Sequence, residues 1–263
     1  MSSSLRQPVV LVIAGSDPLG YSGLQADLRH LAALGCQAAG IPTCLTEQSL
    51  DACLEILPVE AGHVARTIGL AVDGGVAAVK IGLLHRPEVV SAVAVALGAT
   101  GLPMVLDPVL AAGGGASLVE DGTRQAILDL LIPLAALVTP NVLELASLTD
   151  AAPARSLDER AAQARLLIAR GTEFVLVKGG HDPDPASEMC DLLVSADSVQ
   201  PFVGSRYCGE VPRGTGCALS TLIAREIAEG QMVARSVETA RERLDLAIRA
   251  AMDSGSRRIV IKR

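Results

Sequence analysis

Short apolar runs rich in β-branched residues alternate along the chain with alanine- and leucine-rich stretches of helical length. Residues 9–15 form a fully apolar run that ends in Gly15, a pattern typical of a strand buried on both faces of a parallel sheet. Residues 22–34 then carry leucines at helical spacing, and Gly35 closes them. Because this order repeats, the sequence predicts an α/β fold with a central, mostly parallel sheet, helices on both faces and right-handed crossovers.

The same alternation predicts the other elements. Further strands are predicted over 37–45, 76–82, 103–109, 135–140 and 174–180, and helices over about 60–73, 87–98, 120–131, 142–149 and 157–170. Residues 186–207 resemble short strands joined by turns, which predicts an antiparallel edge of the sheet. Two last helices are predicted over about 215–229 and 235–253, and a polar turn with a short basic edge strand over 254–263. No linker interrupts the pattern, so we expect a single domain over 1–263.

Composition limits the partners that such a chain can have. The net charge is −7, and only two Tyr and two Phe are present, so nucleic acids and anionic membranes are excluded as partners because both require basic patches. No apolar run approaches the roughly 20 residues that span a bilayer. The N-terminus lacks a signal-peptide pattern, and the six cysteines have neither CxxC nor zinc-finger spacing. We therefore expect reduced thiols and a cytoplasmic location.

Polar and glycine residues cluster where the predicted strands end. Ligands bind at the carboxyl ends of open parallel sheets, so these loops are the expected site. Each loop alone could be an ordinary turn, but together they favour a ligand site. The loops read GSDPLGYSG, KIGLL, DPVLAAGGG, TPNVLE, KGGH and PRGTGC.

The last of these loops has the pattern of an anion site. Gly214, Thr215 and Gly216 precede a predicted helix, whose free amides and dipole would bind phosphate or carboxylate. Cys217 falls in the first helical turn, where a thiolate is stabilised and the thiol pKa lowered. The alternative interpretation is a tight helix cap followed by a small buried cysteine.

Acidic and basic residues at other strand ends suggest metal and nucleotide binding. Asp107 and Glu144 follow neighbouring strands and could hold Mg²⁺ against phosphate oxygens, while Lys178 suits a nucleotide phosphate. Asn141 and Glu144 are also spaced as a helix N-cap with its reciprocal carboxylate. Asp27 and Gln48 could bind the polar edge of a small heterocycle, or could be solvated residues.

Taken together, the motifs resemble the hydroxymethylpyrimidine/phosphomethylpyrimidine kinase family of the ribokinase-like superfamily. The resemblance covers about residues 9–229. It implies a three-layer α/β/α fold, a cytoplasmic homodimer, ATP with Mg²⁺, and a role in thiamine biosynthesis. The implied reaction is phosphorylation of 4-amino-5-hydroxymethyl-2-methylpyrimidine (HMP), and then of HMP-phosphate. The matching motifs are IAGSDPLGYSGLQADLRHLAALG, CLTEQ, VKIGLL, VLDPVLAAGGG, LVTPNVLEL, VLVKGGH and GTGCALSTLIA.

The resemblance also assigns roles to individual residues. It places Gln48 on the aminopyrimidine, surrounded by four other residues, and the 214–217 segment in an anion hole in which Cys217 is catalytic. It places Asp107 and Glu144 on Mg²⁺. The other residues around the pyrimidine are Gly15, Asp27, Leu83 and Val109, and the nucleotide-binding residues are Lys178, Asn141 and Glu144.

Three departures from the family pattern keep two alternatives open. Residues 210–213 read Glu-Val-Pro-Arg where the family has Asn-Thr-His before GTGC, and 112–115 read Ala-Gly-Gly-Gly in place of Ala-Lys-Ser-Gly. The tail at 254–263 replaces a glycine-rich segment. The first alternative is a pyridoxal or pyridoxine kinase on the same scaffold, and the second is a non-catalytic pyrimidine-binding relative.

Overall fold

Nine strands form one mixed sheet in the computed structural model, which describes residues 7–49, 52–112, 115–181, 189–207 and 211–262. The strands are β1 (Val9–Ser16), β2 (Gln37–Gln48), β3 (Cys53–Pro58), β4 (Ala78–Ile81), β5 (Met104–Leu106), β6 (Leu137–Val138), β7 (Phe174–Val177), β8 (Met189–Val194) and β9 (Val199–Gly204). Their order across the sheet is β3-β2-β1-β4-β5-β6-β7-β8-β9. Neighbours from β2 through β7 pair in parallel, as the alternating pattern predicts.

Both edges of the sheet are antiparallel. The pairs β7–β8 and β8–β9 confirm the edge predicted within 186–207. At the other edge β3 pairs antiparallel with β2, a strand that the sequence analysis missed. The side chains of β3 are largely exposed, with Leu54 77% accessible, so no buried face gives the segment a clear periodicity. Gly113, Gly114, Glu210, Cys208 and residues 186–188 lie outside the described residues.

Helices cover both faces of the sheet. They are α1 (Gly23–Ala33), α2 (Ala61–Asp73), α3 (Pro87–Leu97), α4 (Thr123–Ala126), α5 (Val142–Leu148), α6 (Leu157–Ile168), α7 (Thr215–Ala228) and α8 (Val233–Asp253). The helix predicted over 120–131 is wrong in its form, because α4 continues as a π turn over Ile127–Leu131 and a 3₁₀ turn over Ile132–Leu134. Pro133 lacks the amide that would continue an α-helix through this segment.

Alternate residues of β1 divide the core into two layers. Leu11 and Ile13 pack in the cluster that includes α2, α3, α5 and α6, whereas Val10 and Val12 pack with α1, α7 and α8. This alternation follows from the two-residue period of a strand with both faces buried. The resulting helix–sheet–helix arrangement confirms the three-layer α/β/α expectation.

The C-terminal segment does not form the predicted edge strand. Its only described ladder contact is an isolated bridge between Arg213 and Arg258. Ile259 and Ile261 are nevertheless buried, so their alternating pattern anchors the segment in the core without a strand partner. None of the described helices is long and apolar enough to cross a membrane.

Candidate active site

Charged side chains lie buried at the carboxyl ends of the parallel strands. Asp107 directly follows β5, Lys178 directly follows β7, and Asp17 directly follows β1. All three are buried, although charged residues are rarely buried without partners. Because open parallel sheets bind ligands at this edge, these groups mark the candidate site.

Residues 214–217, here called the anion loop, begin α7 at this edge. Gly214 is the N-cap and has a left-handed φ of 77°. A Cβ at Gly214 would lie 2.1 Å from the carbonyl oxygen of Tyr21, so both the conformation and the close approach require glycine. No side chain caps this helix end, which leaves its first-turn amides available to an anion.

Lys178 joins the two predicted acidic residues and reaches the anion loop. Its Nζ lies 2.7 Å from Asp107 Oδ1 and 3.8 Å from Glu144 Oε2. A Cβ at Gly216 would lie 3.2 Å from the same Nζ. From the opposite side, the Ser220 hydroxyl of α7 donates to Asp107 Oδ2 at 3.2 Å. The fold therefore brings together four elements that are far apart in the sequence.

The three charges of this cluster have different proton affinities. Burial alone would raise the pKa of Asp107, but the ammonium groups of Lys178 and Lys80 lower it below its ordinary range. Burial raises the pKa of Glu144 to about 6, because Lys178 opposes the effect only in part. Burial would lower the pKa of Lys178, but the neighbouring carboxylates raise it. Asp107 and Lys178 thus form a stable ion pair beside an acid that titrates nearer neutrality.

Asn141 and Glu144 form the reciprocal cap that their spacing predicts. Asn141 Oδ1 accepts from the Glu144 amide at 2.8 Å, and Glu144 Oε2 accepts from the Asn141 amide at 2.7 Å. The same Glu144 oxygen is the one nearest to Lys178. Capping therefore fixes the carboxylate at the site, and the two interpretations of this pair are compatible.

Cys217 lies in the first turn of α7, but its pKa contradicts the sequence-based expectation of a lowered value. Burial of the thiol and the negative charge of Asp107 raise the pKa of Cys217 to about 12, although the residue keeps some exposure. The cations of Lys80 and Lys178 oppose this effect without overcoming it. The prediction of a lowered pKa was wrong because it considered the helix dipole and omitted the buried carboxylate beside the thiol.

A second buried ion pair lies between β4 and α1. Lys80 Nζ is 2.6 Å from Asp27 Oδ2, and both side chains are wholly inaccessible. Burial would lower the pKa of Lys80, but Asp27 and the other nearby anions raise it. A Cβ at Gly82 would lie 2.9 Å from Lys80 Nζ, so the ammonium occupies space directly against this backbone. Asp27, predicted on the heterocycle, is therefore engaged with Lys80, and its Oδ1 has no hydrogen-bond partner in the described part of the chain.

The other predicted pocket residues lie along the same strand ends. A Cβ at Gly15 would lie 3.0 Å from both Cys44 Sγ and Leu83 Cδ2, so Gly15 and Leu83 pack against each other. Val109 is partly exposed, two residues beyond Asp107, to whose carbonyl its amide donates at 2.8 Å. Gln48 is partly exposed at the end of β2. Their contact with a pyrimidine remains a prediction.

Comparison with known proteins identifies the family of this chain. The model of the family described as phosphomethylpyrimidine kinase matches residues 17–262. The chain belongs to this family. A hydroxymethylpyrimidine/phosphomethylpyrimidine kinase of Rhizobium meliloti (strain 1021) is 37% identical over 244 residues, which cover 92% of this chain and 91% of the relative.

Solved structures agree with the membership of this kinase family. The phosphomethylpyrimidine kinase of Clostridium difficile 630 has a TM-score of 0.80 and 27% identity, covering 94% of this chain and 100% of that one. The pyridoxal kinase of Staphylococcus aureus, solved with AMP-PCP and pyridoxal, has a TM-score of 0.82 and covers 92% of this chain and 88% of its own. At 24% identity this second likeness shows the shared fold alone.

The candidate site offers two carboxylates to a divalent cation. Among the described residues, no group of three or more His, Cys, Asp or Glu side chains is arranged to hold a metal. Mg²⁺ in phosphoryl-transfer sites is commonly bound by one or two carboxylates together with substrate phosphates. Asp107 and Glu144, which both approach Lys178, provide these two carboxylates. The residues present therefore fit a cation that completes its coordination on a nucleotide.

Sequence reasoning missed three polar residues of the candidate site. Lys80 interrupts the apolar run 76–82, and a lone lysine within a buried strand was the signal that could have revealed it. Asp17 accepts the amides of Leu19, Tyr21 and Ser22, each at 2.9 Å, and so shapes the loop after β1. Ser220 carried no sequence signal, because its contact with Asp107 depends on how α7 packs against β5.

Proposed function

We propose that this chain transfers the γ-phosphoryl group of ATP to the hydroxymethyl group of HMP, and then a second one to HMP-phosphate, in thiamine biosynthesis. The single observation that carries the proposal is the convergence of the anion loop with the Asp107–Lys178 pair. Lys178 contacts Asp107 and approaches Gly216, while Ser220 of α7 bonds to Asp107 from the other side. Phosphoryl transfer requires this combination of free amides, cations and metal-binding carboxylates.

The nucleotide would lie on the β5–β7 side of the anion loop. Lys178 would neutralise its phosphates, and Asn141 and Glu144 would position it from the N-terminus of α5. Asp107 and Glu144 would hold Mg²⁺, which when bound supplies positive charge to the leaving phosphate. Burial raises the pKa of Glu144 to about 6, so at pH 7 the group is mostly the carboxylate that a cation would need.

The pyrimidine would lie on the β1–β4 side of the anion loop. Gln48 would hydrogen-bond the aminopyrimidine edge, with Gly15, Leu83 and Val109 packed around the ring. Asp27 would contribute through its position beneath this pocket, since the Lys80 ion pair encloses it. Cys44 and Leu83 already fill the space beside Gly15, so a larger residue at position 15 would displace the side chains that pack there.

Cys217 would hold the acceptor hydroxyl in line and receive its proton. Since its pKa is about 12, it is a neutral thiol at pH 7. The proton transfer is therefore late, as suits a loose transition state, in which the acceptor oxygen has formed little of its bond to phosphorus and is not yet acidic. The hydroxyl proton would pass to sulfur while the thiol gives its own proton to the transferred phosphoryl group, since Lys178 and Lys80 lower the pKa of Asp107 and make it a weak base.

Substrate identity is tested by measuring ADP release with HMP, HMP-phosphate and pyridoxal in parallel, each with ATP and Mg²⁺. The proposal predicts ADP release with HMP and with HMP-phosphate. Release only with pyridoxal would establish the pyridoxal kinase alternative, and release with none of the three would favour a non-catalytic binding protein. The retained Asp107–Lys178–Glu144 cluster argues against the last alternative.

We also propose that the chain acts as a single-domain homodimer in the cytoplasm. Leu45, Leu54 and Leu57 are exposed on the β2–β3 hairpin at one edge of the sheet, which supports an interface there. The described cysteines are all free, which is consistent with a reducing compartment. Light scattering of the purified chain should give twice the mass of 27.0 kDa, and a mass of one chain would contradict the dimer.

A further inference from the structure

The C-terminal segment, which had no predicted function, reaches the candidate site. Burial of Ile259 and Ile261 in the core fixes this segment on the α1–α7–α8 side of the sheet. Just before these anchors, the Arg213 amide donates to the Arg257 carbonyl at 3.0 Å, and Arg213 bridges with Arg258. Arg213 directly precedes the anion loop, so the segment is attached to the loop by backbone contacts.

Arg258 also reaches the loop that follows β1. Its Nη2 donates to the Leu19 carbonyl at 2.7 Å, and its guanidinium lies 5.0 Å from the centroid of the Tyr21 ring. The Tyr21 carbonyl is in close contact with Gly214 at the start of the anion loop. Arg258 therefore lies next to the backbone that would surround a bound acceptor.

A third arginine lies at the same loop. Arg29 of α1 donates through Nη1 to the Gly20 carbonyl at 2.8 Å, directly beside the carbonyl that Arg258 binds. Its Nε and Nη2 are buried and have no hydrogen-bond partner within the described residues. Burial and the positive charge of Arg258 lower the pKa of Arg29.

We call Arg29, Arg213 and Arg258 the arginine cluster; within the described residues none of the three forms a salt bridge. Arg213 and Arg258 are bridge partners, and partners on adjacent strands carry their side chains on the same face, where like charges destabilise each other. Asp17, one of the two carboxylates whose charge acts on Arg29, already accepts three backbone amides of the loop and the Ser22 hydroxyl. A concentrated positive charge in a chain of net charge −7 is the electrostatic signature of an anion site.

The two transfers of the proposed function make different demands on such a site. An alcohol acceptor must lose a proton, whereas a phosphomonoester is already largely ionised at pH 7, since its second pKa is about 6. A phosphomonoester must instead bring nearly two negative charges toward ATP. Lys178 lies on the nucleotide side of the anion loop, and the arginine cluster lies on the acceptor side, beside β1.

We propose that Arg213 and Arg258 bind the phosphate of the phosphomonoester acceptor and so make this chain competent for the second phosphorylation. The inference rests on the proposed function. In that step an oxygen of the bound phosphomonoester bonds to the γ-phosphorus of ATP, the bond from that phosphorus to the β–γ bridging oxygen breaks, and ADP leaves with the electron pair. Guanidinium groups suit this ligand because they donate in pairs to phosphate oxygens. Arg29 adds positive charge from behind the loop.

The test compares kcat/KM for HMP and HMP-phosphate in Arg213→Met, Arg258→Met and the double variant. Loss of one charge-assisted hydrogen bond weakens binding by about tenfold. Each single change should therefore lower kcat/KM for HMP-phosphate by about tenfold. It should lower kcat/KM for HMP by clearly less. The matched control is Lys262→Met, which removes one exposed charge from the same segment and should leave the ratio of the two values unchanged. Equal losses with both substrates would overturn the proposal in favour of a purely structural role, and a rise confined to the KM for ATP would assign the arginines to the nucleotide.

A binding measurement separates this inference from the proposed function. HMP-phosphate should raise the melting temperature of the wild-type chain without ATP, and this rise should be smaller in Arg213→Met and Arg258→Met. If the wild type turns over neither substrate, the proposed function fails, and the melting measurement still tests the subsite. No rise in the wild type, or an equal rise in the variants, would overturn the inference.

Discussion

At the scale of single residues, the candidate site consists of buried charges, and changing one of them should cost a measurable amount of stability. Lys80 and Asp27 are fully enclosed, as are Asp107 and most of Lys178. Such pairs add little net stability, but removing one partner leaves the other charge buried where it cannot be solvated. The buried ion pairs of the site can therefore be tested by measuring differences in the free energy of unfolding, without any substrate.

Lys80→Met should lower the free energy of unfolding by about 3–5 kcal/mol, because it leaves Asp27 buried without a cation. Replacing both members, Lys80→Met with Asp27→Leu, should recover most of that loss, since no buried charge remains. Urea unfolding of the two variants measures the difference. The matched control is Glu238→Ala, which breaks the exposed Arg235–Glu238 pair and should cost less than about 1 kcal/mol. A double variant as unstable as the single one would contradict the ion-pair account.

Glu144 should make stability depend on pH in the metal-free protein. Its folded-state pKa, about 6, exceeds its ordinary value of 4.5, so the folded chain binds the proton more tightly than the unfolded chain. This contribution is fully present below pH 4.5 and is lost as the pH rises through about 6. Melting temperatures measured with a chelator should therefore fall as the pH rises through this window in the wild type, and this fall should be absent in Glu144→Gln. An unchanged profile in Glu144→Gln would assign the titration to another group.

At the scale of elements, the close approach of two loops sets the shape of the site. The anion loop and the loop after β1 meet where Gly214 contacts the Tyr21 carbonyl. The sequence predicted that both loops are functional, because each follows or precedes a clear element. It could not predict the contact between Gly214 and Tyr21, since nothing in either segment encodes how α7 packs beside β1.

Gly214→Ala should disrupt the site more than the same substitution would at a left-handed glycine that has no close neighbours. A Cβ there would lie 2.1 Å from Tyr21 O, so the anion loop must move in addition to adopting a strained φ. The control is Gly255→Ala, which has a φ of 65° but nothing within 4 Å of the added Cβ. The control should lose about 1 kcal/mol from strain alone, and Gly214→Ala should lose more together with most of its kinase activity. Equal losses of stability and full activity in Gly214→Ala would contradict this account.

At the scale of the whole molecule, periodicity predicted the three-layer fold, but it failed for exposed strand β3 and for the C-terminal segment. The central parallel strands, β1 and β4 to β7, were predictable because their apolar runs are buried on both faces. Strand β3 was missed because its side chains face solvent, and the C-terminal strand was wrongly predicted because Ile259 and Ile261 are anchored without a ladder. Family resemblance supplied most of the proposed site residues. It supplied neither Lys80, whose buried ion pair the structure shows, nor the raised pKa of Cys217.

The central claim, phosphoryl transfer to HMP at Cys217, is tested most directly by measuring turnover and HMP binding in the wild type and Cys217→Ala. With HMP, ATP and Mg²⁺, the variant should lose about 10²–10⁴-fold in kcat, the usual contribution of a proton-transfer group. Calorimetry should show that it still binds HMP with nearly unchanged affinity, because Gln48 and the ring contacts remain. Unchanged turnover in Cys217→Ala would contradict the account.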